Sequence, residues 1–326
     1  MLLDFLGAVV ALLAVSLAPS PAGNARLKPA ALSHDHYGET YTFLGDFDGG
    51  VYAQVQLSVS NLGPGSGHGI CRALLVENGG SPWTASDRVD AKGWRHRAGD
   101  GGEALQVGPC RVRSTRDGLQ VTATLEGREL RLEFPPLPAG ETPPKNELSV
   151  AGGTHVTEIL YPGVNVSGSV QARGEKRRVL RGSGYADHSL STIEPRALAK
   201  RWVRFRALRG GTHVLLLGRE ALDGTFAPLW MRAGDGKYAE LERFTLARSG
   251  SGGKPAFVAT VSGPRPLEVR SGELLYRYAP VEELGLLASV VKPFAGSPVT
   301  YTYRATLKGA ADEPIPGILE ISLAEE

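Results

Sequence analysis

At 326 residues the chain is long enough for one large domain or two ordinary ones, with ample core in either case. Its 42 glycines and 22 prolines are spread along the chain rather than gathered into a low-complexity block, which implies frequent turns. A formal net charge of +2 provides no footprint for nucleic acid or an anionic membrane, because phosphate-neutralising domains carry a larger, clustered excess of Lys and Arg.

Residues 1–25 read as a secretory signal. The apolar run 5–18 is followed by the small residues Ala22, Gly23, Asn24 and Ala25, and then by the charged Arg26 and Lys28. The leading MLLD carries Asp4 and no basic residue. The run is shorter than the roughly 20 residues a spanning helix needs. The expectation is an exported protein, periplasmic or secreted, with no integral membrane segment after cleavage. His34 and His36 flank Asp35 at a spacing compatible with metal binding, but no third ligand is identifiable and no metal is assigned. Cys71 and Cys110 are the two cysteines of the chain. In an oxidising compartment they either form a disulfide closing a loop of about 40 residues or remain two small buried thiols.

From residue 36 onward the pattern has period two. Val51, Ala53, Val55, Leu57 and Val59 fall on one face of a strand, and Tyr52, Gln54, Gln56, Ser58 and Ser60 on the other. LQVTATLEGRELRLEF predicts a hairpin, with Leu119, Val121, Ala123 and Leu125 before a turn at 126–128 and Leu130, Leu132 and Phe134 after it. Residues 135–147 form a proline-rich loop, and the basic run 173–181 reads as a solvated hairpin tip. A second hairpin spans 202–218 around Gly210 and Gly211, and further strands are expected at 256–262, 273–278, 299–308 and 316–323. Helical periodicity is scarce: 195–200 suits a short helical turn, and 281–291 either a helix or a buried strand. The expected class is all-β, as two antiparallel β domains meeting near residue 180, 26–180 and 181–326.

No G-x-S-x-G elbow is present, G-x-G-x-x-G fails throughout, and the Gly-rich 250–254 stretch is followed by Pro255 where a phosphate loop needs Ser or Thr. No cofactor is therefore expected. The stretch RGSGYADHSL, 181–190, groups three polar side chains after two glycines that permit close backbone approach. In an extended segment Tyr185 and Asp187 share a face, about 7 Å apart, and His188 points to the other. Asp187 facing an apolar cavity would have a raised pKa and serve as a general acid hydrogen-bonded to Tyr185; facing a turn, it would satisfy backbone donors.

This stretch resembles the Y-x-D-H signature of the two-domain lipocalin-like superfamily, which includes carotenoid 1,2-hydratases, AttH-type proteins and fungal Diels-Alderases. Pro195, Ala199, Arg201 and Trp202 are similar to the P-x-x-x-A-x-R-W stretch of fungal survival-factor proteins, residues 39–63 to the superfamily's opening strands, and GILEISL, 317–323, to its closing strand. The resemblance implies two lipocalin-like β-barrels packed side by side around an apolar cavity or interdomain cleft for a lipid or isoprenoid. It assigns Tyr185 and Asp187 the places of the tyrosine and aspartate thought to act in the hydratases. Their upstream histidine corresponds to His155 in HVTEILYPG, with no tryptophan at the matching spacing.

Two functions follow as expectations. One is a carrier of a hydrophobic ligand lined by Tyr185, Asp187, Trp202, Trp230, Tyr301 and Tyr303, with Arg204 and Arg206 on the Trp202 face available to a polar headgroup. The other is a cofactor-free hydratase, cyclase or isomerase acting on a polyene or terpenoid, with Asp187 as general acid and Tyr185 as its partner. A third reading is a structural envelope protein with filled barrels.

Overall fold

The computed structural model describes residues 26–324 apart from 63–65, 100–101, 151, 210, 212, 251–253, 264 and 282–296. The signal assigned to residues 1–25 and nearly all of the 281–291 segment lie outside the described residues.

The first sheet is built from β1 (Gly38–Phe47), β2 (Val51–Ser60), β3 (His68–Val76), β4 (Trp83–Val89), β5 (Trp94–Gly99), β6 (Gly102–Val107), β7 (Cys110–Thr115), β8 (Gly118–Leu125), β9 (Arg128–Phe134), β10 (Leu148–Val150), β11 (Gly153–Ala172) and β12 (Arg178–Ser191). Its order is β4-β3-β2-β1-β12-β11-β9-β8-β7-β6-β5, with β10 on β11. The two edge strands are consecutive in the chain, so the sheet curls into a nearly closed barrel. The curl brings β3 against the far side of the sheet. Trp94 Nε1 donates to the Gly67 carbonyl at 2.7 Å, and the Cys71–Cys110 disulfide joins β3 to β7 with the Cα atoms 5.4 Å apart. Of the two alternatives for the cysteines, the bonded one is found.

Alternation fills this barrel. Val55, Leu57, Val59, Leu119, Val121, Ala123, Leu130, Leu132 and Phe134 all enter one buried apolar cluster, as their period-two spacing predicts. At one end a carboxylate is buried with them. Glu39 accepts from the hydroxyls of Tyr37 and Tyr41 at 2.7 and 3.0 Å, from the Ala30 amide at 2.8 Å, and pairs with His188 Nε2 at 2.7 Å. His188 also stacks on Tyr41, with ring centroids 4.3 Å apart.

A short helix α1 (Pro195–Leu198) leads to the second sheet: β13 (Arg201–Ala207), β14 (Val214–Glu220), β15 (Phe226–Arg232), β16 (Tyr238–Glu240), β17 (Arg243–Ser249), β18 (Ala256–Ser262), β19 (Leu267–Tyr278), β20 (Val299–Lys308) and β21 (Ile315–Leu323). The order β16-β15-β14-β13-β21-β20-β19-β18-β17 gives a half-barrel around a second apolar cluster that includes Phe205, Phe257 and Leu319. The all-β, two-barrel expectation is met. The junction expected at residues 180 and 181 falls inside β12, which pairs with β1 and β11 of the first sheet. The sheets hand over at 192–200, and Gly182 and Gly184 lie inside β12. A Cβ at Gly182 would lie 2.3 Å from the Asp46 carbonyl oxygen, and one at Gly184 would lie 2.5 Å from Val166. No described helix is long and apolar enough to cross a membrane.

Candidate functional site

The outer faces of the two sheets pack against each other, and the site lies in that seam. Leu44, Tyr52, Leu74, Ile159 and Tyr185 from the first sheet meet Trp202, Leu215, Leu217, Trp230 and Ile318 from the second in a third buried cluster. Alternation explains who faces the seam. In β13, Val203, Phe205 and Ala207 enter the half-barrel core, so Trp202, Arg204 and Arg206 face out. In β12, His188 turns into the first barrel and leaves Tyr185 and Asp187 facing the second, the division of faces that the sequence predicts.

Charge runs through the seam as a chain. Arg206 Nη2 stands 3.8 Å from Asp187 Oδ2, and its Nη1 donates to Glu320 Oε2 at 3.0 Å. Glu320 accepts again from Arg204 Nη1 at 3.2 Å. Arg206 lies 4.7 Å from the centroid of the Tyr185 ring, and Arg204 lies 5.2 Å from that of Trp202. Burial alone would raise the Glu320 carboxyl, but the Arg206 and Arg204 guanidiniums outweigh it and hold its pKa below the usual value. The Tyr185 phenol is pushed up by burial and by the adjacent Asp187 carboxylate, so it is a hydrogen-bond donor at any ordinary pH. Asp187 therefore faces a guanidinium and a phenol, where the general-acid expectation calls for apolar surroundings.

His155 extends the chain at its other end. It is 6% exposed, and its ring centroid lies 5.7 Å from the Trp202 ring. Trp202 of β13 thus stands beside His155, whose own strand carries no tryptophan. Burial, with Arg204 and Arg219 adding repulsion, lowers the His155 pKa to about 4, so the imidazole is neutral at physiological pH. Its Nε2 contacts Thr157 Oγ1 at 3.2 Å, while Nδ1 has no partner among the described residues. Nor have Arg204 Nε and Arg219 Nη2. Arg219 is 1% exposed and pairs with Trp202 across β13 and β14. Its guanidinium donates to the carbonyls of Leu198 and Ala227, the latter at 2.7 Å, and burial lowers its pKa. Buried polar atoms are rarely left unmatched, so three of them around one tryptophan set this part of the seam apart. His155 Nδ1 can accept or donate a hydrogen bond according to its tautomer, and the two guanidiniums can only donate.

The structure brings Tyr185, Asp187, Trp202 and Trp230 together with Arg204 and Arg206. Tyr301 and Tyr303 lie instead inside the half-barrel, against Phe257 at centroid distances of 5.5 and 6.0 Å. They are core residues there, because the odd positions of β20 face inward. Sequence reasoning missed Glu320 and Arg219. The signal for Glu320 was present, a lone carboxylate on the face shared by Ile318 and Ser322 in an otherwise apolar strand. Among the described residues no cluster of three or more His, Cys, Asp or Glu side chains is placed to hold a metal.

No protein-family model matches the chain, and no curated protein matches it in sequence. Solved structures match it in fold. A protein designated AttH from Nitrosomonas europaea superposes with a TM-score of 0.65 at 14% identity, over 94% of this chain and 98% of its own. CghA, crystallised with Sch210972, gives 0.58 at 13% identity over 88% of each chain. Kievitone hydratase from Nectria haematococca gives 0.54 at 12% identity, over 93% of this chain and 95% of its own. These proteins share the two-barrel lipocalin-like fold, and so does this chain.

Proposed function

We propose that the protein binds or transfers a hydrophobic small molecule, a lipid or isoprenoid, in the seam between its two barrels. The observation that carries this reading is the buried apolar layer of Trp202, Trp230, Tyr185 and Leu217 with unmatched polar atoms on His155, Arg204 and Arg219 beside it. An apolar body with a polar end is the complement of such a surface. One structural neighbour, CghA, was crystallised with Sch210972, which supports small-molecule binding by this fold. The Cys71–Cys110 disulfide supports an oxidising, periplasmic or secreted location.

A second reading has an observation of its own. His155 is neutral, buried and unpartnered at Nδ1 beside an aromatic wall, which suits a proton acceptor, and one fold neighbour is a hydratase by name. In this reading the protein is a cofactor-free hydratase, cyclase or isomerase, and Asp187 and Tyr185 hold the opposite end of the substrate.

The test is extraction of protein purified from its native host with organic solvent, followed by mass spectrometry. Carriage predicts a stoichiometric hydrophobic molecule that is lost from a Trp202→Ala variant whose circular-dichroism melt remains cooperative. Recovery of no such molecule from the wild-type chain would remove the binding reading. Conversion of the recovered molecule on incubation, abolished in His155→Gln, would select the enzyme.

A further inference from the structure

A second polar concavity opens at the edge of the seam, away from Trp202. It is a cleft of about 560 Å³ lined by Arg209, Arg270 and Arg304 with Asp46, Ser271 and Thr306. Three guanidiniums thus face one carboxylate.

That carboxylate is not exposed to compete for solvent ions. Asp46 is 3% exposed and accepts from Arg209 Nη2 at 2.8 Å and from Arg304 Nη1. Arg304 Nη2 donates in addition to the Gly50 carbonyl at 2.8 Å, and Arg209 to that of Phe47. Asp46 belongs to the first barrel and both arginines to the second, so the contact fixes two guanidiniums at the mouth of the cleft. Arg270 differs. Among the described residues its hydrogen-bonded partner is Glu268 Oε1, 3.0 Å away on its own strand and with both side chains substantially exposed, an arrangement worth little in water. The lining therefore holds more positive charge than Asp46 neutralises, and Ser271 and Thr306 belong to it as well, the Ser271 hydroxyl accepting from the Phe257 amide at 2.7 Å. Guanidiniums held in this way are suited to oxyanions, which they engage by two parallel hydrogen bonds.

From this geometry we infer an oxyanion site in the cleft, taking a phosphate or a carboxylate, with Arg270 as the arm that closes on it. The site is independent of the hydrophobic-ligand reading, since none of its residues contacts Trp202 or His155. The oxyanion is either a free ion or the head of an amphiphile lying along the seam.

Titration calorimetry of the full chain at low ionic strength tests it, with inorganic phosphate in one arm and sodium decanoate in the other. Saturable binding of phosphate that falls at least about tenfold in Arg270→Gln identifies a free oxyanion site. Binding of decanoate alone, weakened to the same extent, assigns the site to an amphiphile head. Arg270 is exposed, and among the described residues its side chain hydrogen-bonds only to Glu268 of the same strand, so Arg270→Gln removes one exposed ion pair, and Arg270→Lys is expected to retain part of the affinity. Absence of saturable binding in both arms, or equal binding by wild type and Arg270→Gln, would overturn the inference. Loss of the seam ligand from the wild type would not touch it.

Discussion

Replacing Glu320 by Gln tests the seam most directly. Glu320 is the one carboxylate that binds both Arg204 and Arg206, at 3.2 and 3.0 Å. Without it, among the described residues, Arg206, which is 3% exposed, keeps only Asp187 at 3.8 Å, and Arg204 keeps no carboxylate within contact. Breaking a buried ion pair by removing one partner costs about 3–5 kcal/mol. Asp187 still faces Arg206, so the lower end applies, about 3 kcal/mol, or a drop of about 1 M in urea midpoint at a slope of about 3 kcal/mol/M. Because the carboxyl is held below its ordinary value, its contribution is complete at neutral pH. It is lost as pH falls below about 4.3 toward the depressed folded value. The gap between wild type and Glu320→Gln should therefore narrow across that acid window. Urea melts of both proteins at pH 7 and at steps below pH 5 measure it. A loss under about 1 kcal/mol, or a gap that does not change with pH, would refute the assignment of the network as a buried, mutually compensating set.

Two further outcomes follow from buried groups. Removing the disulfide by Cys71→Ala with Cys110→Ala frees a loop spanning a sequence separation of 39 and should cost about 4 kcal/mol in denaturant melts; a cost below about 1 kcal/mol would mean that barrel packing alone fixes β3 against β7. His155 takes up a proton near pH 6.5 when unfolded and only near pH 4 when folded. Stability should thus decline between these values as pH falls, by up to about 3 kcal/mol, and His155→Gln should remove that part of the slope; an unchanged slope would place the effect elsewhere.

Much of the fold was legible because strand alternation is a local property. The face assignments of Val51–Val59, of 119–134 and of Tyr185 and Asp187 against His188 needed no knowledge of neighbouring strands. Which surface a face meets is non-local, and there the sequence was silent. Tyr301 and Tyr303 alternate like Tyr185, yet their face turns into a half-barrel and that of Tyr185 into the seam. The glycines at 182 and 184 signal close backbone approach in the sequence, but which chains approach, at Asp46 and Val166, is known only from the fold. The tryptophan that the fold sets beside His155, Trp202, lies 47 positions away in the sequence, a neighbour that no local reading of HVTEILYPG could find.

The two sheets share no strand pair among the described residues, and the chain passes between them once, at 192–200. What holds them together is side chains, among them Arg72 on Tyr276, Arg232 on Glu141 and the Asp46 arginines. Parting the halves like a book, with that single passage as its spine, would break no backbone ladder. If a ligand occupies the seam as proposed, it could enter and leave between the covers while both barrels remained whole, and these clasps, with the apolar layer between the sheets, would set its residence time.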